Sequence, residues 1–137
     1  MSMYVDTSAL LRVVLREPAA LGDLRSEDPL VSSEVIGVES ARTIDRLRLQ
    51  GSLTTEEAAT RVRAVNDWLE AFDLVLVRSA VLSRASEPMP LALGTVDAIH
   101  LATALIWRER MGSISMATHD TTLGIAARSF GFEVRGI

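Results

Sequence analysis

The sequence predicts an α/β fold in which a parallel sheet is covered by helices, and three observations carry that prediction. Five short apolar, largely β-branched runs recur along the chain, helix-length segments separate them, and those segments carry helix start and stop signals. Size permits such a fold: 137 residues, 48% of them hydrophobic, can bury roughly two thirds of the surface exposed by the unfolded chain, enough for a core without disulfides. No internal repeat, low-complexity stretch or linker interrupts the pattern, so a single domain over residues 1–137 is expected.

In order, the first strand is expected at Met3-Tyr4-Val5, with Asp6 leading into a helix that begins Thr7-Ser8-Ala9-Leu10-Leu11. Leu30-Val31 is the second strand. A helix starts near Ser33 and ends at Gly51, a natural C-terminal cap; Thr54 and Glu57 form a capping box for the next, Glu56 to Phe72. These two helices are expected to form a hairpin, the second presenting a stripe of Ala58, Val62, Val65 and Leu69. Leu74-Val75-Leu76-Val77 is the third strand. Pro88 and Pro90 end the helix that follows Ser79, and Gly94-Thr95 opens another that is apolar along most of its length. Ile114-Ser115-Met116-Ala117 and Phe132-Glu133-Val134 complete the sheet.

Composition removes several kinds of chemistry. With no cysteine, thiol nucleophiles, thiolate zinc sites and iron–sulfur clusters are excluded. All 14 positive charges are arginine, which removes Schiff-base chemistry and the lysine of a phosphate-binding loop. A net charge of -4 argues weakly against a nucleic-acid binder, although bound cations and local arginines can reverse the sign at a site. No long apolar segment and no export signal are found, so a soluble, cytoplasmic protein with no membrane partner is expected.

Four carboxylates stand apart from those on solvated helix faces. Asp6 and Asp120 each follow a strand and open a helix, at the edge where open α/β sheets place their ligand crevice; a plain helix N-cap is the alternative for both. Glu39 flanks the inward stripe of its helix, with an ion pair to Arg42 or Arg46 as the alternative. Asp97 lies in the first turn of the apolar helix, where a favourable dipole interaction is the alternative, and His100 shares its face as a structural, hydrogen-bonded core residue. If the four acids converge, their mutual repulsion requires a cation among them, and oxygen-only ligands suit Mg²⁺ or Mn²⁺ better than zinc. Such ions meet substrate phosphates, which points to phosphodiester hydrolysis. A serine hydrolase built on Ser8 and His119 is disfavoured because no nucleophile-elbow motif is present.

Met3-Tyr4-Val5-Asp6-Thr7-Ser8-Ala9-Leu10, Val38-Glu39-Ser40-Ala41-Arg42, Asp97-Ala98-Ile99-His100-Leu101-Ala102-Thr103-Ala104 and Ala117-Thr118-His119-Asp120, in that order, resemble the acidic motifs of PIN-domain ribonucleases, specifically the VapC toxins of VapBC toxin-antitoxin pairs. The resemblance runs almost end to end. It implies a PIN-like three-layer α/β/α sandwich with a parallel five-stranded sheet, in which Asp6, Glu39, Asp97 and Asp120 bind Mg²⁺ or Mn²⁺ and cleave RNA. Thr7, Ser8 and Thr118 are expected to hydrogen-bond those carboxylates. It also implies a homodimer silenced by a cognate VapB-type antitoxin, for which the arginine-bearing hairpin, residues 33 to 72, is the candidate groove; the alternative is that the hairpin's apolar stripe simply covers the chain's own core. Arg12, Arg16, Arg42 and Arg46 are the candidate RNA contacts. The alternative function is a PIN-like module that binds RNA or protein without cutting.

Overall fold

A computed structural model describes residues 1–137. The chain runs β1 (Met3–Val5), α1 (Thr7–Val14), β2 (Leu30–Ser33), α2 (Val35–Leu49), α3 (Thr55–Leu69), β3 (Phe72–Val75), α4 (Ser79–Ala85), α5 (Thr95–Met111), β4 (Ser115–Ala117), α6 (Thr121–Ser129) and β5 (Val134–Arg135), with a 3-10 turn at Leu24–Ser26. The strands form one parallel sheet of order β3-β2-β1-β4-β5.

Alternation along β1 explains the layers. Met3 and Val5 enter a core with Leu10, Ile36, Ile44 and Val65, whereas Tyr4 faces the opposite way into a core with Leu101, Leu105, Met116 and Leu123. Helices α1, α2 and α3 therefore cover one face and α5 and α6 the other, giving the expected α/β/α sandwich. Each fully buried leucine here contributes roughly 1.5–3 kcal/mol relative to exposure. The capping box is formed: Thr54 Oγ1 accepts from the Glu57 N–H at 3.1 Å and Glu57 Oε1 from the Thr54 N–H at 3.1 Å. In the same turn Gly51 closes α2 at φ +79°, and the Gly51 and Ser52 amides return to the carbonyls of Arg48 and Leu47. That is a Schellman cap, which needs a residue tolerant of positive φ.

Three boundaries depart from the sequence expectation. The hairpin's second helix stops at Leu69 instead of Phe72, because Phe72 pairs with Leu30 in the sheet and buries its ring in the core. The third strand consequently lies two residues earlier than expected. Since β2 ends at Ser33 opposite Val75, Leu76 and Val77 have no strand partner, and the Val77 N–H donates to Glu34 Oε1 at 2.8 Å. The last strand is Val134–Arg135, with Phe132 buried just before it.

The stripe on α3 packs inward. Ala58 and Val65 are buried in the core shared with α1 and α2, and Val62 and Leu69 pack against it, so the stripe covers this chain's own core. Gly37 faces the Leu69 side chain across the hairpin; a Cβ added there would lie 3.6 Å from Leu69 Cδ1, an ordinary contact.

Candidate active site

Every strand is parallel, so all their carboxyl ends lie at one edge, and the chain reverses its direction of travel across the sheet between β1 and β4. Ligand crevices form at such switch points. Asp6 immediately follows β1 and Asp120 lies just beyond β4, so the topology puts both at the crevice. Glu39 comes from the second turn of α2, and Asp97 from the first turn of α5. All four line a single pocket of about 220 Å³ together with Thr7, Ser8, Leu11, Thr43 and His100.

Asp6 is 3% exposed and both of its oxygens are engaged. Oδ1 accepts from Ser8 Oγ at 2.7 Å and from the Ala9 N–H at 3.0 Å, and Oδ2 accepts from Thr118 Oγ1 at 2.7 Å. Burial raises its pKa above the ordinary carboxylate value even against these three donors. Asp120 Oδ1 caps α6 through the Leu123 N–H at 2.9 Å. The N-cap alternatives for Asp6 and Asp120 therefore hold for Oδ1 of each, while Asp6 Oδ2 is bonded to Thr118.

Burial also works against ionisation of Glu39, yet hydrogen bonds from His100 and Thr7 outweigh it and hold its carboxyl below the usual range. His100 Nε2 lies 2.7 Å and Thr7 Oγ1 2.5 Å from Glu39 Oε1. Neither Arg42 nor Arg46 is its partner; Arg42 pairs with Asp45 at 3.2 Å. Asp97, half-buried, behaves differently: burial, then the negative charges of Asp120 and Asp6, push its pKa up to about 6.

The expected supporting hydroxyls are in place. Thr7 holds Glu39, Ser8 and Thr118 hold Asp6, and Ser8 also accepts the His119 N–H at 2.9 Å, joining the loops after β1 and β4. A Ser8–His119 nucleophile pair is not formed, since the His119 ring turns its Nδ1 to the Gly136 carbonyl at 2.9 Å. None of Arg12, Arg16, Arg42 and Arg46 lines the pocket, which contains no basic side chain other than His100. The carboxylates share this space without closing into a ligand cage: no three Asp, Glu or His side chains stand together at metal-binding separation. The donor set nevertheless fits a hard cation, being all oxygen, and the pKa of Asp97 is raised by burial first and then by the neighbouring negative charges that such a cation would offset.

The expected structural hydrogen bonding of His100 is found, and the partners themselves, Tyr4 and Glu39, are what the sequence did not show. His100 Nδ1 meets the Tyr4 hydroxyl at 2.7 Å, and that hydroxyl accepts the Ser33 N–H at 3.1 Å. Tyr4 inside an apolar strand was the available signal, because a buried phenol needs a polar partner.

Comparison with known proteins agrees with this architecture. Residues 3–128 match the family model of the PIN domain. The chain is 32% identical over 136 residues to Ribonuclease VapC46 of Mycobacterium tuberculosis (strain ATCC 25618 / H37Rv), covering 97% of this chain and 95% of that one. It is 27% identical over 131 residues to Ribonuclease VapC47 of Mycobacterium tuberculosis (strain CDC 1551 / Oshkosh), covering 95% and 93%. The chain belongs to the PIN-domain family. Within that family its near-full-length relatives set it among the VapC ribonucleases.

Proposed function

We propose that this protein is a Mg²⁺- or Mn²⁺-dependent endoribonuclease, the toxin of a type II toxin-antitoxin pair, with Asp6, Glu39, Asp97 and Asp120 as its catalytic and metal-binding residues. One observation carries the reading: four carboxylates from four separate segments line one pocket at the switch point of a parallel sheet, with no arginine among them.

Asp6 and Asp97 are the principal ligands in this reading, and Glu39 and Asp120 complete the site. A cation held by these carboxylates would supply positive charge against the phosphodiester and lower the pKa of a nearby water. The chain's own groups do the positioning. Three donors hold Asp6 in one rotamer, Thr7 and His100 hold Glu39, and the Asp120 cap leaves Oδ2 free to orient a water for in-line attack on phosphorus. The bond from water oxygen to phosphorus forms as the bridging phosphorus–oxygen bond breaks. RNA is the substrate because the relatives are named as ribonucleases.

A VapB-type antitoxin, a homodimer and a cytoplasmic site of action belong to the same proposal and rest on membership of the VapC group. No helix is long and apolar enough to cross a membrane.

The test is RNA cleavage by purified protein with Mn²⁺ or with EDTA, alongside Asp6→Asn and Asp97→Asn. The wild type is expected to cut only with metal, and each variant to fold and lose cleavage. Wild-type rates from both folded variants contradict the assignment, and a protein that binds Mn²⁺ and RNA without cutting is the binding module instead.

A further inference from the structure

His100 comes from the helix layer opposite α2, yet its imidazole reaches Glu39, and its hydrogen bonds leave little freedom in how it does so. Tyr4 is fully buried, and burial keeps its phenol protonated. The hydroxyl accepts the Ser33 N–H at 3.1 Å and lies 2.7 Å from His100 Nδ1, with the Ser32 and Thr103 hydroxyls also beside it. A carboxylate only accepts, so the contact with Glu39 places a ring proton on Nε2. That nitrogen faces Glu39 Oε1 at 2.7 Å and Thr7 Oγ1 at 3.2 Å.

We propose that His100 is a positioning residue for Glu39, with Tyr4 fixing its Nε2–H tautomer, so that Oε1 is saturated by two donors and only Oε2 is presented to a cation or water. The inference rests on the assignment of Glu39 as a metal-site carboxylate and extends it. His100 touches neither metal nor RNA in this account; it acts through Glu39. Its 1% exposure agrees with that limit.

Two measurements on the full chain test it. The first is the imidazole ¹⁵N spectrum of the metal-free protein, where His100 is expected to show a protonated Nε2 and an unprotonated Nδ1; a protonated Nδ1 overturns the proposal. The second is Mn²⁺ binding by calorimetry for wild type, His100→Leu and His100→Gln, each with and without Glu39→Gln. His100→Leu is expected to weaken Mn²⁺ about 10-fold, the scale seen when a residue orienting a metal ligand is removed. His100→Gln, which keeps a donor near Nε2, restores most of the affinity. In the Glu39→Gln background His100→Leu has no further effect.

Equal losses in both backgrounds, or none in either, overturn the positioning role. If Glu39→Gln itself binds Mn²⁺ like wild type, the assignment of Glu39 fails, and the inference falls with it. Weakened binding by Glu39→Gln with an additive His100→Leu effect rejects the positioning role alone. Should His100→Leu not fold, Tyr4→Phe takes its place in the cycle with the same opposed outcomes, and the spectrum decides on the native protein.

Discussion

Thr118 Oγ1 donates a 2.7 Å hydrogen bond to Asp6 Oδ2 and accepts the Asp120 N–H at 3.0 Å, so one buried hydroxyl couples the acid after β1 to the acid after β4. Thr118→Val keeps the shape and removes both bonds. The expected cost is about 1–3 kcal/mol in chemical denaturation, because a buried carboxylate loses a donor and a half-buried amide an acceptor. The same change raises the Asp6 pKa further, which should appear as weaker Mn²⁺ binding at mildly acidic pH. Unchanged stability argues that Asp6 does not depend on this contact.

Asp97 carries a pH signature. Its pKa is about 6 in the folded protein against an ordinary 3.8. Below the ordinary value both folded and unfolded chains hold the proton. Between the two values only the folded chain does, so stability is lost as pH rises through about 6. In EDTA, Asp97→Asn should therefore gain stability relative to wild type as pH is raised from 4 to 7. Melting curves of the two proteins across that window check it, and a difference that is flat with pH contradicts it.

The same substitution should separate stability from function. Asp97→Asn relieves repulsion from Asp120 and Asp6, yet it removes a proposed ligand, and cleavage is expected to fall by at least ~100-fold, the order of loss when one preorganised electrostatic contact is deleted. Paired melting and cleavage assays at neutral pH reveal the trade. A variant that is more stable and fully active would show the repulsion to be incidental.

Gly37 gives a stability prediction with no expected effect on the site's charge. It lies inside α2, and a Cβ would meet Leu69 Cδ1 at 3.6 Å without a clash. Gly37→Ala should stabilise the protein by about 0.4–1 kcal/mol through reduced freedom of the unfolded chain. A loss of stability on urea denaturation would mean that the two helices need a closer approach than this contact indicates.

These sites differ in how visible they were in the sequence. Asp6 and Asp120 could be placed because a strand followed by an acid and a helix start is a local pattern, and local patterns survive folding. The Glu39–His100 bond could not, since the residues are 61 positions apart and their approach depends on helices from opposite layers meeting at one sheet edge. The end of the hairpin was misjudged for a related reason. Phe72 continues the apolar spacing from Leu69, and only pairing with Leu30 makes it a strand residue. The α3 stripe shows the converse, an amphipathic pattern read correctly whose partner, this chain's core or another protein, periodicity alone does not specify.

The central claim is that Asp6, Glu39, Asp97 and Asp120 form a cation site, and the melting temperature at neutral pH with and without millimolar Mn²⁺ tests it most directly. A ligand held only by the native state at a hundred times its Kd adds about 2.7 kcal/mol, so a rise of several degrees is expected in the wild type and none in Asp6→Asn. No rise in the wild type, or an equal rise in both proteins, would contradict the account.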